Sequence, residues 1–228
     1  MNIIKNWLNR PNRKVIYTAI FGDKDDLQPI EKQKGFDYIV FTDNPTLKLP
    51  GFKILLCPSF YEDPTRNAKY YKILSHIVLK EYDYSVWIDA NIKMTVKDMN
   101  VLLKNYLQNH DMAVHAHPER NCIYEEAKEC IKLGKDKTQI INHQMDRYRE
   151  LGYQEQNGLI SAGILIRRHT SSISKLNEMW WEEIEHHSRR DQLSFNYVVW
   201  QSGFRYYIIP GHVRNHNVEG FTLYPHKR

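Results

Sequence analysis

The stretch Tyr82–Ile92, YDYSVWIDANI, joins an aromatic and aliphatic run to an acid and an amide two positions apart. Val86, Trp87 and Ile88 are β-branched or aromatic, and the run is too short for a helix, so it reads as a buried strand ending at Ile88. Asp89 and Asn91 then stand just beyond the strand's end. Two readings stay open for them: an acid closing a turn, or two oxygen donors offered to a hard cation such as Mg2+ or Mn2+.

Upstream lies DPTRNAKYYKILSHIVLKEY, residues 63–82, whose apolar positions Ala68, Tyr71, Ile73, Leu74, Ile77 and Val78 recur near helical spacing, with Thr65 as the expected cap. Before it come three strand-like runs, VIYTAIF, DYIVFT and FKILLC. Downstream, Thr95 and Asp98 suggest a capping box for a helix over 99–108, followed by the strand MAVHAH. Helices over 123–133 and 138–151, the buried strand LISAGILI, helices over 173–187 and 191–201, a strand YYII and a polar tail complete the order. Strands alternating with helices predict an α/β fold, a single domain with a mostly parallel central sheet flanked by helices. In open sheets of this kind ligands gather beyond the carboxyl ends of the strands. That rule singles out Gly22 to Asp26, Asp43 and Asn44, Asp89 to Asn91, and His115 to Arg120.

Along the helix before Asp89, Arg66, Lys69 and Lys72 recur every third residue and so share a face, which suits a diphosphate as well as it suits solvent. His115 and His117 alternate along one strand and would bind zinc only if a third ligand converged. His212 and His216, four apart in GHVRNHN, belong to a loop that can complete a metal site. In SRRDQLSF, Asp191 follows two arginines. It fits either an S-x-x-D cap with Ser188 or a carboxylate, held near Arg189 or Arg190, that acts as base or orients a substrate hydroxyl. No G-x-G-x-x-G, P-loop or G-x-S-x-G pattern is present, which removes the usual support for dehydrogenase, kinase and serine-hydrolase readings.

Composition sets the outer bounds. The 228 residues are 42% hydrophobic and 12% aromatic, enough for a sizeable core. Lysine and arginine number 32 against 27 acids, a net charge of +5 that favours an anionic small molecule without the dense basic tract of a nucleic-acid binder. Three cysteines with no C-x-x-C pair suggest neither a disulfide framework nor a cysteine-rich zinc site and fit a reducing, cytoplasmic setting. No apolar run approaches the roughly 18 residues of a membrane span. Residues 1–14 do place Ile3, Ile4, Trp7 and Leu8 among Lys5, Arg10, Arg13 and Lys14, a basic amphipathic segment that fits a helix packed on its own domain or, as the alternative, peripheral contact with the inner face of a membrane.

Taken in order, YTAIFGDKDDLQP, RNAKYYKILSH, YSVWIDANI, HPERNCIYEEA, GILIRRH and SRRDQLSF resemble a glycosyltransferase-like family, formerly a domain of unknown function. It includes plant turgor-regulation and seed-mucilage proteins and has bacterial-type members. The resemblance spans Tyr17 to about Gly203. It implies a GT-A fold and glycosyl transfer from a nucleotide-diphosphate sugar to a hydroxyl of a glycan or lipid-linked acceptor, in surface polysaccharide or glycoconjugate biosynthesis. It further implies that Thr18, Ala19 and Asp43 hold the nucleoside and that Arg66, Lys69 and Lys72 face the diphosphate. Asp89 and Asn91 stand at the metal motif, with His212 or His216 as a third ligand to Mn2+ or Mg2+, and Asp191 and Gln192 stand at the catalytic pair. His117, Arg120 and Glu126 are further candidates for sugar contacts. D-A-N replaces D-x-D, and an uncharged amide makes Asn91 the weaker ligand. Two alternatives accompany this reading: a metal-assisted hydrolase of a ceramide-like amide, and a noncatalytic nucleotide- or glycan-binding module.

Overall fold

A computed structural model describes residues 12–22, 26–213 and 220–225. The basic amphipathic segment therefore falls almost wholly outside the described residues, as does His216.

Seven strands form one sheet: β1 (Lys14–Ile20), β2 (Phe36–Thr42), β3 (Lys53–Leu56), β4 (Tyr84–Ile88), β6 (Met112–Ala116), β7 (Ile160–Arg168) and β8 (Tyr207–Ile209). Their order is β3-β2-β1-β4-β7-β6-β8. β1 pairs in parallel with both β2 and β4, β2 with β3 and β6 with β8, while β7 runs antiparallel to β4 and β6. The sheet is thus mostly parallel, as the sequence predicts, with one reversed strand. The chain builds outward from β1 to β3 and then returns to β4 on the other side of β1. The order therefore reverses between β1 and β4, where open sheets form a crevice.

Alternation along the strands makes two cores. Tyr17, Trp87, Val114 and Leu165 pack on one face, and Ile16, Val86, Ile88, Ala113, Ile164 and Ile166 on the other. The first face is covered by α1 (Pro64–Ile73), α4 (Ile123–Lys132), α5 (Thr138–Glu150), α6 (Ser171–His186) and α7 (Asp191–Ser202), separated in the chain by the short α2 (Ser75–Val78) and by α3 (Met99–Tyr106). The second face is covered by α3 and by a two-stranded ribbon of β5 (Ile92–Met94) and β9 (Phe221–Leu223), the latter lying in the stretch that the sequence presents only as a polar tail. Each such fully buried aliphatic side chain contributes about 1.5–3 kcal/mol.

Three helix starts differ from their sequence signals. The cap of α1 is Asp63, whose carboxylate accepts from Thr65 N at 3.0 Å, because Pro64 at the first helical position moves the start back two residues. Asp98, not Thr95, caps α3 by accepting from Asn100 N at 2.9 Å. α7 follows Arg190 with no side-chain cap, because the Ser188 hydroxyl is donated to Asp136 at 2.8 Å and Asp191 turns toward lysines.

The helical pattern over 63–82 also breaks, at Leu74 (φ −84°, ψ 42°). Arg167, fully buried on β7, donates to Lys72 O at 2.7 Å, Ile73 O at 3.2 Å and Asn177 Oδ1 at 3.4 Å, and pairs with the Tyr17 hydroxyl. Tyr17 in turn donates to Lys72 O at 2.9 Å. A guanidinium at the negative end of α1 satisfies carbonyls that the broken helix leaves open, and it pins the backbone that carries Lys72.

Candidate active site

At the carboxyl end of β4 the Asp89 Oδ1 atom accepts from Trp87 Nε1 at 2.6 Å and from Lys72 Nζ at 3.3 Å. Lys72 Nζ also lies 2.8 Å from Asp191 Oδ2, which Lys69 Nζ meets at 2.6 Å. The chain lysine–carboxylate–lysine–carboxylate is nearly dry: side-chain exposure is 14% for Lys69, 1% for Lys72 and 3% for Asp191, against 35% for Asp89. Gly163 on β7 lets Ile92 pack closely beside Asp89. A Cβ there would stand 3.5 Å from Asp89 Oδ2 and 2.9 Å from an Ile92 methyl.

The charges follow from that burial. Burial opposes ionisation of Asp191, yet Lys69, Lys72 and Arg190 overcome it and hold its carboxyl well below the usual carboxylate range. Burial pulls Lys72 down as well, but Asp191 and Asp89 together raise it above the ordinary lysine value. For Lys69 burial wins over the pull of Asp191, and with Lys72 adding repulsion its ammonium is brought down to about 8.

A second group sits along the same rim, past the end of β6. His117 Nδ1 accepts from the backbone of Glu119 at 3.3 Å and Arg120 at 3.2 Å, which leaves Nε2 facing Glu126 Oε2 at 3.7 Å. Arg120 Nε donates to that same oxygen at 2.7 Å. Arg190 links the two groups: it donates to Gln192 Oε1 at 2.9 Å and lies within electrostatic reach of Asp191 and Glu126. Gln192 Nε2 is anchored on Ile160 O at 2.9 Å, at the start of β7.

Lys69, Lys72, Asp89 and Asp191, with Gln192 beside them, are thus brought together, as are His117, Arg120 and Glu126. The other candidates stand outside these two groups. Arg66 spends its guanidinium on Ile184 O, Glu185 O at 2.8 Å and His187 O at 3.3 Å, closing the end of α6 instead of facing a diphosphate. A three-residue step turns about 60° short of a full helical repeat, so Lys69 and Lys72 reach the rim while Arg66 swings to the neighbouring helix. Asn91 is buried, and its amide donates to Tyr224 O at 2.9 Å, tying the approach to β9. Thr18 and Ala19 are interior residues of β1. Asp43 accepts from Gly22 N at 3.3 Å and joins the ends of β1 and β2. His212 packs its ring 6.0 Å from that of His115, while His117 goes to Glu126, so the alternating histidines serve different neighbours. Burial lowers His115 below the ordinary histidine value and keeps it neutral near pH 7.

These placements decide how well the residues fit a divalent cation. Asp89 Oδ1 is committed to Trp87 and Lys72, the Asn91 amide to Tyr224, and among the described residues no three histidine, cysteine, aspartate or glutamate side chains converge on one point. Among the described residues, which do not include His216, they do not form a cation site held by the protein alone. Arg167 and Trp87 are the residues that the sequence reading leaves without a role, whereas Arg190 stands near Asp191 as the sequence suggests. The one signal for Arg167 is a pair of arginines closing an otherwise apolar strand in GILIRRH.

A basic, carboxylate-balanced rim at a strand-order reversal fits the matching family model, TOD1/MUCI70, glycosyltransferase-like domain, over residues 51–209. The chain belongs to this family. Among curated TOD1/MUCI70 relatives, the probable hexosyltransferase MUCI70 of Arabidopsis thaliana is 28% identical over 148 residues, 60% of this chain and 25% of that protein. The alkaline ceramidase TOD1 of the same plant is 25% identical over 175 residues, 70% of this chain and 38% of that protein. The chain therefore spans well under half the length of either relative. Among solved structures, mouse xyloside xylosyltransferase 1 overlaps with a TM-score of 0.48 at 9% identity, covering 87% of this chain and 84% of that one. The WbbM bifunctional glycosyltransferase overlaps with a TM-score of 0.49 at 12% identity, covering 89% of this chain and 39% of that one.

Proposed function

We propose that this chain transfers a glycosyl group from a nucleotide-diphosphate sugar to a hydroxyl of a glycan or lipid-linked acceptor, in surface polysaccharide or glycoconjugate biosynthesis. The observation that carries the reading is the pair of buried ammonium groups, Lys69 and Lys72, held by Asp191 and Asp89 at the crevice between β1 and β4. When the bond between the anomeric carbon and the phosphate oxygen breaks, negative charge grows on the departing diphosphate. Preorganised cations in a dry site stabilise that charge strongly. Lys69 and Lys72 supply them by exchanging carboxylate oxygens for phosphate oxygens.

Asp191 is a poor proton acceptor while three cations hold it ionised. Its role is to orient a hydroxyl of the sugar or acceptor, with Gln192 beside it; His117, Arg120 and Glu126 take further sugar hydroxyls. Three free cysteines fit a reducing, cytoplasmic location.

A thermal-shift screen of UDP- and GDP-sugars, with and without Mn2+, tests the reading, since a ligand that binds only the folded state raises apparent stability. Stabilisation by at least one donor is expected, and it persists without added cation because the lysines provide the charge. The proposal fails if no donor binds and none is slowly hydrolysed under either condition. The name of the TOD1 relative motivates a second reading, amide hydrolysis of a ceramide-like lipid. Fatty-acid release without any nucleotide-sugar binding would establish that reading instead.

A further inference from the structure

At the opposite end of the sheet, where β6 begins and β7 ends, lies a cleft of about 550 Å³ that shares no lining residue with the lysine–aspartate rim. Arg168, Lys175 and Arg205 line it, with polar groups from Gln108, Asn109 and Ser172. Asp111 is its one acid, and it is already engaged: it accepts from Thr170 Oγ1 at 2.9 Å and lies 3.5 Å from Arg168 Nη1. The Arg168 fork is fixed further by a bond to Leu107 O, and its Nε is buried without an acceptor. Lys175 and Arg205 are exposed, and among the described residues neither forms an ion pair. Ser172 belongs to the first turn of the 16-residue helix α6, whose positive dipole end adds to the same field.

We propose that this cleft binds a phosphoryl group carried on a sugar-sized or headgroup-sized molecule, a ligand separate from the glycosyl donor. Three cations against one committed carboxylate favour a doubly charged anion. A positioned arginine beside the exposed ammonium of Lys175 and guanidinium of Arg205 suits phosphate oxygens. The volume exceeds what a bare phosphate fills, and Gln108, Asn109 and Ser172 provide hydrogen bonds for the carrier's hydroxyls. A phosphorylated metabolite and a phosphorylated lipid headgroup present the same chemistry.

The test uses the full isotope-labelled chain titrated with inorganic phosphate, glucose 6-phosphate and glucose, and flotation on phosphatidylcholine vesicles with or without a phosphoinositide. Saturable shifts of the Ser172, Gly203 and Arg205 amides with glucose 6-phosphate, weakened about 10-fold or more in the Lys175→Glu/Arg205→Glu variant, are expected for a soluble ligand. Flotation that needs the phosphoinositide and is lost in the same variant supports the headgroup source. The double variant alters exposed side chains, and an unchanged amide spectrum elsewhere confirms that it folds. The proposal is overturned if no phosphoryl probe shifts those amides and no phosphoinositide-dependent flotation occurs, or if the double variant responds as the parent does.

Discussion

The two ends of the sheet carry the same kinds of side chain under opposite conditions. At the carboxyl end of β4, Lys69, Lys72 and Asp191 are nearly dry and bound to one another. At the far end, Lys175 and Arg205 are exposed and have no carboxylate partner among the described residues. Charges removed from water interact strongly and are expensive to leave unpaired, whereas exposed ones are screened and change stability little. The first arrangement is therefore rigid and preorganised, and the second is adaptable.

The largest expected effect comes from breaking the buried set. Asp191→Asn leaves two buried ammonium groups short of a counter-charge, and it should cost about 3–5 kcal/mol in denaturant unfolding. Glycosyl transfer should fall by about 100-fold, the cost of losing a positioning group. If Asp191→Asn is no more destabilising than Lys175→Glu, the contrast between the two ends is wrong. The same ion pairs predict acid sensitivity. The Asp191 carboxyl is held below its unfolded value, so its stabilisation is complete above about pH 4 and is lost as pH falls further.

Arg167→Met comes next. It removes the buried donors to the carbonyls of Lys72 and Ile73, a loss on the order of 2–3 kcal/mol. Because those bonds pin the backbone under Lys72, kcat should drop along with stability, and a variant that is destabilised but fully active below its melting point would remove Arg167 from the site. Asp89→Asn should cost only about 1 kcal/mol, since Asp89 is partly exposed and Lys72 keeps Asp191. It should still impair transfer.

A pH profile sharpens the comparison within the buried set. With burial bringing the Lys69 ammonium down to about 8, kcat/KM should fall as pH rises through that value, and Lys69→Arg should remove the alkaline limb. Stability has the opposite sign. The unfolded lysine binds its proton up to roughly pH 10.4, so between these values the unfolded state holds more protons and the Lys69 contribution to stability rises with pH. Parallel unfolding and rate measurements on the parent and Lys69→Arg would separate the two. The smallest effect belongs to the far cleft, where Lys175→Glu should stay within about 0.5 kcal/mol of the parent.

Much of the fold is legible in the chain because it depends on local periodicity. VIYTAIF, DYIVFT and YSVWI all become strands of the sheet, with alternate residues on opposite cores. The boundaries that shift, at Asp63, Asp98 and Asp191, are those where several polar residues compete for one cap and only the surrounding partners choose among them. In the site, Lys69, Lys72, Asp89 and Asp191 could be named from spacing and motif order, while Arg66 and Asn91 could not be told apart from them. A basic or amide side chain looks the same in sequence whether it faces the crevice or closes a helix end.

The sequence by itself determined the mostly parallel α/β layout and the strand end at Ile88 with an acid beyond it, because side-chain alternation and helix periodicity act over a few residues. Only the tertiary structure decided which charges meet. Lys69 and Asp191 are separated by 122 positions, and Arg167 reaches back 95 to Lys72. Such contacts depend on which strands neighbour one another, and burial alone turns those pairings from screened surface charge into a site.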